Sequence, residues 1–232
     1  MQTLLGIDEA GRGCVIGPLV VAGVLVGEGQ REALIELGVR DSKRLSRGAR
    51  ERLFPHIHAV AHRVFCIEIA PGELAASLTH IELRAFCQII RESGADRVVL
   101  DLPVGPGAQS NFIQALRQQT ALRDFELIAE NGADARYPVV SAASIIAKVH
   151  RDRAIEKLRE QYGDFGWGYP GEPKTRAFLA EYFARTGRFP ECARAKWRTL
   201  REISELRKTP PLPLPDTERG GVGGEDREGG IG

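Results

Sequence analysis

Gly6-Ile7-Asp8-Glu9-Ala10-Gly11-Arg12-Gly13 is the stretch on which the reading of this chain turns. Leu4, Leu5 and Ile7 form an apolar run that reads as a buried strand, and it leads directly into two adjacent carboxylates and a glycine-flanked arginine. A carboxylate at the end of a core strand is costly unless a proton, a cation or a metal holds it. Successive residues of a strand face opposite ways, so the two acids can share one site only where the strand ends or bulges. Gly11 and Gly13 supply the backbone freedom for that. A strand that merely stops at a polar turn accounts for the pair equally well, so the reading depends on whether other carboxylates converge there.

Two others are placed to do so. Asp101 ends the apolar run Val98-Val99-Leu100, at the strand end where open sheets hold ligands. Asp134 sits in a polar loop, Glu130-Asn131-Gly132-Ala133-Asp134-Ala135, ahead of a long helix expected from about Ser141 to Tyr162. Taken singly, each acid reads as a turn or cap residue. Taken together, four acids repel one another unless divalent cations lie between them, and hard oxygen ligands favour Mg²⁺ or Mn²⁺. Two such ions ~3.5–4 Å apart can activate a water and stabilise the leaving oxygen of a phosphodiester.

The pattern of elements frames this site. Strands are expected at Pro18 to Val26 (antiparallel to the first), Ala59 to Ala70, Arg97 to Leu102 and Phe125 to Ala129. Ser46 reads as a helix N-cap, and Thr79-His80-Ile81-Glu82 matches a capping box ahead of the apolar side Leu83, Phe86, Ile89 and Ile90. Helices are expected at Asn111 to Leu122, from Thr175, and over about Ala195 to Lys208. Strands first, then strands alternating with helices, then helices alone imply an α/β mixed sheet with a helical appendage.

Charge is distributed unevenly over the 232 residues. Residues 174–208 carry ten bases against four acids, whereas residues 211–232 carry five acids against two bases. A basic segment beside a carboxylate-bearing body suits a polyanion, although Arg-rich solvated helix faces would give the same count. The chain divides into a body (1–173), a basic helical segment (174–208) and a Pro- and Gly-rich tail (209–232) expected to be disordered. Cys14, Cys66, Cys87 and Cys192 make no CxxC pair and read as core residues of a reducing compartment. With no secretory signal and no apolar run of membrane-spanning length, a cytoplasmic, membrane-free protein is expected.

Several familiar chemistries are absent. Ile16 breaks a dinucleotide-binding glycine pattern, no Gly-Lys-Ser/Thr completes a Walker A loop, and no Gly-x-Ser-x-Gly elbow makes Ser141 or Ser144 a nucleophile. Gly11-Arg12-Gly13 instead leaves room for a phosphate or sugar hydroxyl to approach the backbone. Lys148, Arg151 and Arg153 extend from the long helix, to neutralise phosphates or to pair along it, Lys148 with Asp152 and Arg153 with Glu156. In Gly166-Trp167-Gly168-Tyr169-Pro170, Tyr169 offers a flat face and a hydroxyl suited to a ribose 2′-OH, or else caps the core. Lys196-Trp197-Arg198 repeats the basic–aromatic pairing on the appended segment.

These blocks resemble one family, the type 2 ribonucleases H (ribonuclease HII). The opening block with Gly17-Pro18 and Val20-Val21-Ala22, then Asp41-Ser42-Lys43 with Leu45, match its first two signatures. Ala133-Asp134 with Ser141 to Val149 and Arg151-Asp152, then Gly168-Tyr169-Pro170 with Pro173 and Thr175, match the next two, and the likeness spans about residues 3–200. The resemblance implies an RNase H-like fold with a five-stranded mixed sheet flanked by helices. It implies catalytic, metal-binding roles for Asp8, Glu9, Asp101 and Asp134, and two Mg²⁺ or Mn²⁺ ions during catalysis. Gly11, Arg12, Gly13 and Tyr169 would recognise a 2′-OH at an RNA–DNA junction, and Lys43 would contact phosphate. The implied activity is hydrolysis of RNA in RNA/DNA hybrids and incision 5′ of single ribonucleotides in duplex DNA, leaving 5′-phosphate and 3′-hydroxyl ends, in ribonucleotide excision and primer removal. Trp167 and Glu172 depart from the small residue and the Asp usual in the family. Lys174-Thr175 and Arg194 with Trp197 look like its archaeal and eukaryotic branch, some of whose members bind the sliding clamp. No aromatic follows Trp197 here, so no clamp peptide is expected, and neither is an oligomer. Two rival readings, an RNase H-fold DNA nuclease and a non-catalytic hybrid-binding module, fit less well: the first lacks a use for the Gly-Arg-Gly and Tyr169 pair, the second for four acids.

Overall fold

The first strand, β1 (Thr3–Ala10), does not stop at the two acids. It carries both of them in register against β2 (Leu19–Gly27), Asp8 opposite Ala22 and Glu9 opposite Val21. The structure, a computed structural model, describes residues 2–39, 45–121 and 124–206. After β2 come α1 (Arg31–Glu36), α2 (Arg47–Val60), β3 (Arg63–Ile69), α3 (Leu78–Ser93), β4 (Arg97–Asp101), α4 (Gln109–Gln119) and β5 (Glu126–Glu130). The short α5 (Ala133–Arg136), the long α6 (Pro138–Tyr162), α7 (Pro173–Thr186) and α8 (Arg198–Leu206) follow.

The five strands form one mixed sheet in the order β3-β2-β1-β4-β5. The β1–β2 and β2–β3 pairs are antiparallel, and β1–β4 and β4–β5 are parallel. The expected fold class therefore holds. Strand alternation sorts the sheet into two faces. Leu5, Ile7, Val98 and Leu100 pack with Phe86 and Ile89 of α3 and Phe112 of α4, while Val24, Val26 and Val99 pack with Val140, Ala143 and Ile146 of α6. Covered on both sides, β2 is buried at every residue, which is why its sequence is an unbroken apolar run. A third cluster joins Val15 and Ile16 to Ile155, Phe165, Leu179 and Leu200, seating the basic C-terminal helices on the end of α6.

Several local expectations shift. The third strand begins at Arg63 because Ala59 and Val60 finish α2. Asp134 lies in α5 rather than a loop, and α6 starts at Pro138, a residue suited to a first helical turn. Likewise α7 opens at Pro173, and Thr175 is buried inside its first turn, donating to the Phe165 carbonyl at 2.9 Å. Ser46 does cap α2, accepting from the Ala49 N–H. The Thr79 capping box does not form: Ser77 occupies the N-cap position of α3. Cys14, Cys87 and Cys192 are buried free thiols, but Cys66 is exposed on β3, at the sheet edge. No described helix is long and apolar enough to cross a membrane. Lys43 and residues 209–232 lie outside the described residues.

Candidate active site

The parallel pairing of β1 with β4 ends at Ile7 opposite Leu100, so Asp8 and Asp101 are the next residues along two neighbouring strands. Both share the parity of the α6-facing residues. Gly132, in a left-handed turn (φ 72°), donates its N–H to Asp101 Oδ1 at 2.7 Å and starts α5, which brings in Asp134. Oxygen atoms of Asp8, Asp101 and Asp134 lie within 4.8 Å of one another, with Asp8 and Asp134 buried. Three of the four acids picked from the sequence thus converge on one face.

Glu9 emerges from the opposite face of β1, as alternation requires, toward α3. Its Oε2 is buried and finds no hydrogen-bond partner among the described residues. Burial, reinforced by Asp8, Glu82 and Asp101, holds its pKa well above the carboxylate range. Burial likewise pushes Asp8 up to about 7, opposed by a hydrogen bond from Ser144 and reinforced by Asp101. In both cases the low-dielectric surroundings penalise the charged form. Ser144, expected only to pack, sits between Asp8 and Lys148, whose Nζ donates to Ser144 Oγ at 2.8 Å. An all-carboxylate donor set, with an orphaned buried oxygen on the residue next to Asp8, matches the requirements of a hard divalent cation.

Beyond the acids, the Gly11–Gly17 loop and the Gly166–Pro170 loop face each other across a cleft of about 330 Å³ lined by Glu9, Gly11, Arg12, Lys148 and Tyr169. Gly13 is exposed with open space around its Cα, and Tyr169 is 52% exposed, so a ligand can reach both. The Arg12 guanidinium turns away to Glu82 (2.9 Å) and Thr79 (3.4 Å) on α3. Glu82 was hidden in the sequence by its capping-box position. Its visible signal is that it falls four residues before Phe86, on the apolar stripe of α3, where an acid needs a partner. Burial raises it to about 7 even against the Arg12 charge.

Arginines do structural work here that charge counting misassigns. Arg194, from the basic segment, is fully buried and donates to the carbonyls of Gly17, Arg12 and Pro18 at 2.9, 3.1 and 2.8 Å. Trp197 stacks near it, 4.9 Å from ring centre to guanidinium carbon, and packs in the core. Asp152 pairs with Arg47 and Arg50 of α2, and Arg153 with Glu51, in place of the along-helix pairs expected. Glu172 accepts from the Trp167 N–H at 2.7 Å and from the Thr175 hydroxyl, fixing the loop that carries Tyr169.

A mixed five-stranded sheet whose two neighbouring parallel strands, with the short α5, bring three aspartates together defines an RNase H-like hydrolase with an acidic centre that could hold a metal ion. The family model described as Ribonuclease HII matches residues 5–200. The chain belongs to the ribonuclease HII family, endoribonucleases that hydrolyse RNA in RNA/DNA hybrids. It is 44% identical over 207 residues to ribonuclease HII of Thermococcus onnurineus, covering 87% of this chain and 90% of that one. It is similar in structure to the ribonuclease H2 of Pyrococcus horikoshii OT3, with a TM-score of 0.83 and 38% identity over 90% of this chain and all of the other. It is also similar to the ribonuclease HII of Archaeoglobus fulgidus solved as a complex with PCNA, with a TM-score of 0.77 and 40% identity over 86% and 96% of the two chains.

Proposed function

We propose that the enzyme incises 5′ of single ribonucleotides embedded in duplex DNA, as well as acting on longer hybrids, and that Asp8, Glu9, Asp101 and Asp134 hold two divalent ions, Mg²⁺ or Mn²⁺. The observation that carries this reading is the convergence of Asp8, Asp101 and Asp134 within 4.8 Å beside the unpartnered Glu9 oxygen. When bound, such a pair of ions supplies activation of the attacking water and stabilisation of the leaving 3′ oxygen. The chain's own groups orient and select. Ser144 fixes the Asp8 carboxylate, and Lys148 offsets charge beside it. Backbone N–H groups of Gly11–Gly13 and the Tyr169 hydroxyl receive the ribose 2′-OH, the group by which RNA is told from DNA. Lys43 contacts the backbone phosphate. Cleavage leaves a 5′-phosphate and a 3′-hydroxyl.

The test is a duplex carrying one ribonucleotide, incubated with Mg²⁺, with Mn²⁺ and with EDTA. Incision on the 5′ side with either ion and none with EDTA is expected; cleavage in EDTA, or by Asp8→Asn at the wild-type rate, overturns the metal assignment. The reading includes a monomer in the cytoplasm and no clamp-binding peptide within residues 198–232, which hold no aromatic. Comigration of the full chain with an archaeal PCNA on a sizing column would overturn that last part.

A further inference from the structure

Arg151 is a buried arginine (3% exposed) on the cleft side of α6, and the chemistry above gives it no role. It lies three residues beyond Lys148 and seven beyond Ser144, on the helix face that supports the site. Its surroundings are the two loops that read the sugar. Its Nη2 donates to the Trp167 carbonyl at 2.7 Å, and its guanidinium carbon stands 5.3 Å from the centre of the Tyr169 ring. On its other side it fills the space beside Gly11 (φ 87°), where a Cβ would sit 2.5 Å from Nε and 2.6 Å from Cδ. The two loops are also tied by the Val15 N–H, which donates to the Gly168 carbonyl at 2.8 Å. That bond fixes where the loops cross; Arg151 fills the gap on the side where Gly11 and Tyr169 face the cleft.

We infer that Arg151 is a positioning residue that sets the separation of the Gly11–Gly13 backbone from Tyr169, and thereby the enzyme's selectivity for a lone ribonucleotide. The inference rests on the proposed reading of the 2′-OH by those two elements. A planar guanidinium can hold the Trp167 carbonyl with one nitrogen while its face lies against the ring; a lysine ammonium, a point donor on a flexible stem, cannot do both. On a long hybrid, neighbouring ribonucleotides offer other 2′-OH contacts, so displacement of one reader costs less there. A displacement of about 1 Å can cost about 100-fold in rate, and it should fall chiefly on the single-ribonucleotide substrate.

The experiment compares wild type, Arg151→Met, Arg151→Lys, Tyr169→Phe and the Arg151→Met/Tyr169→Phe double variant. Rates are measured on a duplex with one ribonucleotide and on a long RNA/DNA hybrid, with Mn²⁺ affinity and thermal midpoint measured alongside. The expected result is a loss in the single-ribonucleotide to hybrid rate ratio for both Arg151 variants that approaches, and does not exceed, that of Tyr169→Phe, with Mn²⁺ affinity unchanged. The double variant should lose little beyond Tyr169→Phe alone. Should Arg151→Met fail to fold, Arg151→Lys carries the same comparison. Equal losses on both substrates, or losses that multiply in the double variant, overturn the positioning role while leaving the 2′-OH reading intact if Tyr169→Phe is itself selective. A non-selective Tyr169→Phe overturns that underlying reading, and the inference with it.

Discussion

Two groups of buried carboxylates in this enzyme are handled in opposite ways. Asp152 and Glu82 are each met by arginine, Asp152 by Arg47 and Arg50 and Glu82 by Arg12. Asp8, Asp101 and Asp134 crowd together with a single ammonium, that of Lys148, as the cation lowering Asp8. The first arrangement is complete without any ligand. The second brings three carboxylates together, and burial, reinforced by Asp101, holds Asp8 up to about 7. Burial alone does not separate the two groups, since Glu82, met by Arg12, is also raised to about 7; the crowding of three carboxylates within 4.8 Å does.

The sharpest test of that contrast is Asp8→Asn. Cleavage should fall by about 10³-fold or more, yet the metal-free protein should melt higher, since one repelling carboxylate is gone; a lower melting point would break the comparison. Asp152→Asn should do the reverse. Removing one partner of a buried pair costs about 3–5 kcal/mol, and the partial exposure of Arg47 reduces that to about 2–3 kcal/mol, read by denaturant titration, while Mn²⁺ affinity stays unchanged.

The pH dependence follows from burial, which both groups share. An unfolded carboxylate ionises near pH 4, whereas folded Asp8 keeps its proton to about 7 and Glu82 does likewise. The folded state therefore binds more protons at these two groups across that window, so their contribution to metal-free stability is fully present at low pH and is lost as pH rises from about 4 to about 7. Scanning fluorimetry should show the midpoint falling between pH 5 and pH 8, Mg²⁺ restoring it chiefly at pH 8, and Asp8→Asn flattening the slope. A slope that Mg²⁺ leaves untouched would detach the raised Asp8 from the metal site. The smallest effect is expected from Tyr169→Phe, about 10-fold on a lone ribonucleotide and less on a long hybrid, measured as a rate ratio.

How much of this was legible beforehand depends on whether the signal is local. The sheet was, because strand runs such as Val98-Val99-Leu100 and helix periodicities such as Leu83, Phe86 and Ile89 are set by nearest neighbours along the chain. Asp8, Asp101 and Asp134 were legible because strand-end position and order limit where they can go. That Asp8 and Glu9 face opposite ways followed from β1 continuing to Ala10, which the glycines concealed. Glu82, Ser144, Arg151 and Arg194 were out of reach as functional residues, since each acts on chain far away in sequence. Arg194, for example, grips carbonyls some 180 positions earlier. Counting it toward a nucleic-acid-binding charge was the natural error, because composition cannot distinguish an interior guanidinium from a solvated one.

At Gly6 the missing methyl lets the β1 main chain lie directly against the peptide joining Val139 to Val140, so the first turn of α6 is seated on the strand itself. Asp8 is two residues along one surface from that seat, and Ser144 and Lys148 are little more than one and two turns along the other. Strand and helix are therefore mounted on a common bearing, and Asp8 keeps its alignment with the hydroxyl and ammonium behind it without needing a hinge. A single carbon inserted at that bearing would put the whole centre out of true while altering none of its working groups.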